Sequence, residues 1–173
     1  MSPSTIFDVQ LGLGYAPWLL AMTKYGWPRL KAMDRVRAHR AIALLHSFRF
    51  FGLVFLLPGV VGSGLPAAFA APAAYGDFAT GLLAMLALMT VRHRRLFWLL
   101  VVGFNLIGTA DILVDYYNGT RFGLAMAAGE LGAAYAIPIV YVPLLMITHG
   151  VAFYLLARPS PQSTIRVSAP AAR

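Results

Sequence analysis

Apolar residues dominate four long stretches of the chain, and short polar or Gly/Pro-rich segments separate these stretches. The four stretches cover residues 41–61, 68–90, 96–117 and 134–157. Each is long enough to cross a hydrocarbon core of about 30 Å, which takes about 20 residues of α-helix. A fifth stretch, 6–23, is less apolar because it contains Asp8, Gln10 and Pro17. The pattern predicts an all-α membrane helical bundle of five transmembrane helices, or of four if the first stretch lies at the interface.

The composition excludes an ordinary soluble domain. Of the 173 residues, 60% are hydrophobic and 12% are charged, whereas soluble domains carry about 25% charged residues. Residues 1–157 are therefore predicted to form a single transmembrane domain, and residues 158–173, rich in Ser, Pro, Ala and Arg, a disordered cytoplasmic tail. The chain has no cysteine, which excludes thiolate nucleophiles and Cys-ligated metal sites.

The net charge of +8 comes from basic residues that cluster beside the predicted helices, which favours an orientation signal over nucleic-acid binding. Basic residues are concentrated in 24–40, 92–95 and 158–173, whereas Arg121 alone would lie on the opposite side of five crossings. The positive-inside rule then places the amino terminus outside and the carboxyl terminus in the cytoplasm. The prediction is a multi-pass protein of a bacterial-type inner membrane. Its partners are the lipid bilayer and either a second copy or another membrane protein.

Two charged residues of opposite sign lie inside predicted spans, where an ionised side chain costs at least about 2.5 kcal/mol on insertion scales. Arg49 and Asp77 fall near the middle of their helices, and the short connection 62–66 makes these helices antiparallel neighbours. Since a guanidinium–carboxylate pair satisfies both charges, we expect Arg49 to contact Asp77. The pair either fixes the helix register or belongs to a relay for protons or substrate.

A polar stripe follows one face of the predicted span 96–117. It consists of Asn105, Gly108, Asp111 and Asp115, at intervals of three or four residues. Such spacing places the four residues on one side of a helix, which we expect to face protein. Asp115 is expected to be solvated at the interface, and Asn105 to bond between helices. The predicted buried polar cluster comprises Arg49, Asp77, Asn105, Asp111 and His149.

Histidines and prolines add two further expectations. His46 and His149 lie at matching depths of different helices, and two such histidines are able to ligate haem or a metal ion. Without further ligands they favour hydrogen bonds between helices, so no cofactor and no metal are predicted and haem is kept as an alternative. Prolines also fall in the outer halves of the predicted spans, at positions 58, 72, 138 and 143. Broken backbone beside acidic residues predicts an outward-facing polar vestibule.

Several short motifs are spread over residues 45–156. They are Arg49-Phe-Phe-Gly52, Gly64-Leu-Pro66, Phe69-Ala-Ala-Pro72, Gly76-Asp77, Asn105-Leu-Ile-Gly108, Asp111, Ile137-Pro138, Val142-Pro143 and His149. Together they resemble a widespread family of uncharacterised bacterial integral membrane proteins. That family has no assigned activity. The resemblance therefore implies a membrane bundle with one polar constellation and implies no reaction.

Three functions fit these residues. The first is a non-enzymatic accessory or structural bundle that buried polar groups lock together. The second is a small proton-coupled transporter or carrier, in which Asp77 titrates against Arg49 and Asp111 connects them to the outside. The third is a haem- or quinone-binding redox protein that uses His46 and His149. The sequence lacks a Ser/His/Asp, nucleotide-binding or zinc-hydrolase signature, so it favours a protein without enzymatic activity.

Overall fold

The computed structural model describes residues 1–158, and these residues form helices without a β-strand. The α-helices are α1 (Pro3–Ala21), α2 (Trp27–Ala32), α3 (Arg35–His46), α4 (Ala67–Met89), α5 (Arg94–Arg121) and α6 (Val142–Ala157). Two π-helical turns, Met22–Gly26 and Ile137–Tyr141, precede α2 and α6, and two 3₁₀ helices cover Ser47–Leu56 and Ala128–Tyr135. The predicted tail lies outside the described residues, apart from Arg158.

Four helical stretches are long and apolar enough to cross a membrane. They are Arg35–Leu56, Ala67–Met89, Arg94–Arg121 and Ile137–Ala157. They coincide with the four long apolar stretches of the sequence, which confirms the all-α class. Helix α1 is long enough but less apolar and is not among these four, so the fifth span stays a prediction.

The first of these four stretches begins and ends earlier than predicted. Asp34 caps the amino terminus of α3, because its carboxylate accepts a hydrogen bond from the Arg37 N–H at 3.0 Å. The helical path ends at Leu56 rather than at residue 61, and Pro58 therefore lies in the following loop rather than inside a span. Gly59 turns this loop with a φ of 84°.

The 3₁₀ helix Ser47–Leu56 directly continues α3 and changes the period of its buried face. In a 3₁₀ helix, residues three apart lie in line along one side. Arg49, Gly52 and Phe55 occupy one such line, and all three are buried. This geometry aims the Arg49 side chain into the bundle.

Helix α4 presents a face of small residues to its two neighbours. The buried small residues of this face are Ala70, Ala73, Ala74, Thr80, Gly81, Ala84 and Ala87. A Cβ atom at Gly81 would lie 2.8 Å from the Phe50 nitrogen, so α4 touches the backbone of the 3₁₀ helix. Small residues permit this close approach in membrane bundles.

The helical path of residues 3–32, from α1 through the π-helical turn to α2, runs parallel to the last helical stretch, Ile137–Ala157. Three contacts mark the path: Phe7 packs on Tyr135, Trp18 Nε1 donates to the Val140 carbonyl at 2.7 Å, and Trp27 packs on Tyr154. The first 32 residues therefore extend over most of the length of this stretch.

The loops at one end of the bundle are fastened through Glu130. The Glu130 carbonyl accepts a hydrogen bond from the Gly62 N–H at 2.7 Å, and its carboxylate accepts one from the Gly64 N–H at 2.8 Å. Gly132 has a φ of 50° and passes close to the Val60 carbonyl, where a Cβ atom would not fit. These contacts hold loop 57–66 against segment 122–136.

Candidate functional site

Arg49 is the centre of a buried polar network that joins four helical segments. Its side chain is 1% exposed. Its hydrogen bonds run from Nε to Asp77 Oδ1 (2.6 Å), from Nη2 to Asp111 Oδ2 (2.5 Å), and from Nη1 to the Gly108 carbonyl (3.1 Å) and His149 Nε2 (3.2 Å). All three guanidinium nitrogens are therefore bonded, and they link the 3₁₀ helix to α4, α5 and α6.

His149 extends the network to Asn105. Because arginine only donates, His149 Nε2 accepts the bond from Arg49, and the ring proton resides on Nδ1. Nδ1 then donates to Asn105 Oδ1 at 2.9 Å, and Asn105 Nδ2 donates to the Val101 carbonyl at 2.7 Å. The structure thus brings all five residues of the predicted cluster together, although Asn105 reaches Arg49 only through His149.

Asp111 lies closer to Arg49 than the sequence predicts. The stripe on α5 places Asp111 between the buried pair and the outside, whereas in the structure its carboxylate bonds the guanidinium directly. One guanidinium consequently faces two carboxylates, whose side chains are 7% and 8% exposed. When both carboxylates are ionised, the three groups carry one net negative charge, and uptake of one proton makes them neutral.

Three glycines make room for the network, one each on the 3₁₀ helix, α4 and α5. A Cβ atom at Gly52 would collide with the Asp77 carboxylate, and one at Gly76 would collide with the Asp111 carboxylate. A Cβ atom at Gly108 would lie 2.6 Å from Arg49 Nη1 and 2.7 Å from His149 Nε2. Sequence reasoning placed these glycines in motifs but missed their steric role.

His46 does not join the Arg49 network directly. Its Nε2 bonds the Thr148 hydroxyl at 3.0 Å, and its ring lies against the His149 ring with centroids 4.1 Å apart and planes tilted by 38°. Two rings that share a metal ion each point a nitrogen at it, whereas His149 uses both nitrogens for Arg49 and Asn105. Within residues 1–158, His, Asp and Glu side chains also form no group of three suited to a metal ion. The two histidines thus link their helices through hydrogen bonds and a tilted ring contact.

A cavity of about 210 Å³ lies beside the network. Its wall is mostly apolar, with Phe7, Phe55 and Phe69, but it also contains Asp8, Asp77 and Asp115. Among the described residues, no Lys, Arg or His lines it.

Asp115 is partly exposed and lines this cavity, and its solvation at the interface stays a prediction. Its Oδ1 is buried and makes no hydrogen bond within residues 1–158. The cavity therefore brings the side chains of Asp77 and Asp115 to one wall.

Comparison with known proteins identifies the family but not an activity. No curated protein and no solved structure matches the chain. The model of one family, described as a domain of unknown function, matches residues 6–157, a range that contains the whole Arg49 network and the cavity. The predicted membership of an uncharacterised family is confirmed. The chain belongs to the family Domain of unknown function (DUF8737).

Proposed function

We propose that the protein is a multi-pass integral membrane protein without catalytic activity, an accessory or structural bundle whose helices the Arg49 network holds in one arrangement. The observation that carries this proposal is the state of Arg49. Its guanidinium is buried, and all three nitrogens bond groups of the same chain. A guanidinium bonded in this way supports the fold instead of facing a ligand.

The exposed face of α5 supports the membrane location. Leu99, Leu106 and Leu113 recur every seven residues and are 69%, 56% and 56% exposed. Phe97 and Phe104, on the opposite face, are fully buried. Soluble monomers rarely expose large contiguous apolar patches, whereas in a bilayer such a stripe faces hydrocarbon.

The path of α1 supports a fifth crossing. Phe7 contacts Tyr135, just before the last helical stretch, and Trp27 contacts Tyr154, near its end. A bilayer that surrounds this stretch therefore also surrounds α1. An odd number of crossings places the termini on opposite sides. The distribution of basic residues then puts the amino terminus outside and the carboxyl terminus in the cytoplasm of a bacterial-type cell.

Single cysteines introduced into this cysteine-free chain are expected to report the five crossings. Ser4→Cys and Met126→Cys should react with a membrane-impermeant maleimide from outside intact cells. Met89→Cys and Ser168→Cys should react only after the membrane is opened. Met89 and Met126 are 80% and 72% exposed, so they act as controls for the two ends of the bundle.

Two results would contradict parts of this proposal. Labelling of Ser4→Cys together with Ser168→Cys from the cytoplasmic side would reduce the crossings to four. Recovery of the protein in the soluble fraction after cell lysis would reject the membrane location itself.

A proton-coupled carrier is the second candidate, and the cavity beside Asp77 favours it. The cavity wall holds three carboxylates, and the adjoining network carries one guanidinium for two carboxylates. A proton or a cation that enters the cavity would therefore meet negative charge beside a buried pair. This is the arrangement that an intramembrane relay requires.

The carrier candidate predicts proton flux in reconstituted vesicles that contain a pH-sensitive dye. Wild type should dissipate an imposed pH gradient faster than protein-free vesicles, and Asp115→Asn should abolish the difference. Asp115 is suited to this test because it lines the cavity without bonding Arg49. The exposed Asp34, replaced by Asn, is the control and should leave the flux unchanged. If vesicles with the wild-type protein showed the same proton flux as protein-free vesicles, the carrier function would be rejected. The non-catalytic bundle would then remain as the proposed function.

A further inference from the structure

We propose that the basic end of the bundle binds the headgroup of an anionic phospholipid. A cavity of about 740 Å³ lies where α2 and α6 end and where α3 and α5 begin. Its basic lining residues are Lys31, Arg35, Arg94 and Arg158. The inference rests on the proposed membrane location, because only a bilayer supplies such a ligand.

The charge of this cavity is one-sided. Within the described part of the chain, Asp34 is its single acidic lining residue. Asp34 is already engaged, since it caps α3 and forms an ion pair with Arg37 at 3.1 Å. A phosphate group would complement this charge.

Two of the basic side chains are held in position by the protein. Arg35 donates from Nη2 to the Leu156 carbonyl at 2.8 Å, and its guanidinium lies 5.4 Å from the centre of the Trp98 ring. Arg158 donates from Nη1 to the Lys31 carbonyl at 3.4 Å. These bonds tie the last helix to α2 and α3 around the cavity. Arg35 and Arg158 are therefore fixed at the cavity before any ligand binds.

The apolar part of the wall favours a lipid over a soluble phosphate. Trp98, Val102 and Leu155 line the cavity beside the basic residues. Val102 is 39% exposed and is followed along α5 by the exposed Leu106, so the apolar wall continues onto the lipid-facing side of that helix. A ligand with a phosphate at one end and an acyl chain at the other fits both surfaces. Basic pockets between helices at the cytoplasmic side are known to hold anionic headgroups.

Native mass spectrometry of the full-length protein in mild detergent tests this inference. The probes are phosphatidylglycerol, phosphatidylcholine with the same acyl chains, and glycerol 3-phosphate as the soluble headgroup. Phosphatidylglycerol should bind at least about tenfold more tightly than the other two probes, and Lys31→Gln/Arg94→Gln should lose at least about tenfold of that affinity. This variant does not replace Arg35. Equal midpoints of thermal unfolding for the variant and the wild type would show that the fold is kept.

The matched control is Arg92→Gln/Arg95→Gln, which removes the same charge from two exposed residues that do not line the cavity. It should keep wild-type affinity. If both double variants lost the same affinity for phosphatidylglycerol, binding would be a diffuse electrostatic attraction, and the proposed site would be wrong. Equal binding of the two lipids, or glycerol 3-phosphate binding as tightly as phosphatidylglycerol, would also overturn the site. If Lys31→Gln/Arg94→Gln unfolds, Arg158→Gln provides the second variant and should also weaken binding.

Membrane fractionation distinguishes a failure of the lipid-site proposal from a failure of the proposed membrane location. A protein that fractionates with membranes but shows no preference for phosphatidylglycerol rejects the lipid site alone. A protein absent from the membrane fraction rejects the proposed function, and the lipid site with it.

Discussion

Replacement of Arg49 by leucine is expected to destabilise the protein by about 3–5 kcal/mol, as removal of one partner from a buried ion pair does. The loss should exceed that of Asp77→Asn or Asp111→Asn. Without the guanidinium, two buried carboxylates lose their counter-ion together, whereas either Asn variant leaves Arg49 one charged partner. Unfolding in detergent, followed by circular dichroism, measures the differences.

Combined variants show whether these losses belong to one network. Arg49→Leu/Asp77→Asn/Asp111→Asn removes all three charges and should recover part of the stability that Arg49→Leu loses. The control is Arg37→Gln, which breaks an exposed pair with Asp34 and should cost no more than about 1 kcal/mol. Strictly additive losses among the buried variants would contradict the network.

Replacement of Gly108 by alanine is expected to destabilise the protein by about 1–3 kcal/mol, the usual cost of overpacking a tight interior. The added methyl group would lie within 2.7 Å of Arg49 Nη1, His149 Nε2 and Thr80 Cγ2. It therefore pushes on the network from the helix that supplies Asp111. Thermal unfolding in the same detergent gives the change in stability.

Gly103 is the matched control for Gly108, because both glycines lie on α5 and a Cβ atom at Gly103 would meet nothing within 4 Å. Alanine has the higher helix propensity, by about 1 kcal/mol, so Gly103→Ala should be neutral or slightly stabilising. Equal effects at the two positions would show that the space around Gly108 is not limiting.

The sequence predicts the helices and the contact between Arg49 and Asp77 because both follow from simple geometry. Long apolar runs mark the helices, and a short connection makes two of them neighbours. Two opposite charges at equal depth then have few partners besides each other. The same reasoning places Asn105 and His149 near this depth, where the structure joins them by a hydrogen bond.

The ion pair between Arg49 and its second partner, Asp111, does not follow from such reasoning. The polar stripe on α5 indicates which side of the helix is polar. Whether that side faces Arg49 depends on the rotation of α5, which three close helix contacts determine. Those contacts require glycine at positions 52, 76 and 108, and a single sequence does not reveal which glycines meet a neighbour. The docking of Glu130 on loop 57–66 is equally hidden, since both partners lie in segments without hydrophobic periodicity.

The 3₁₀ geometry of Ser47–Leu56 also changes how far this part of the chain reaches. A 3₁₀ helix rises about 2.0 Å per residue, against about 1.5 Å for an α-helix. The apolar run 41–56 therefore covers about 29 Å, whereas it would cover only about 24 Å as a continuous α-helix. A hydrocarbon core of about 30 Å is matched by the first length and not by the second. In the proposed membrane location, the stretched backbone would thus remove a hydrophobic mismatch that a short span otherwise relieves by thinning the bilayer around it.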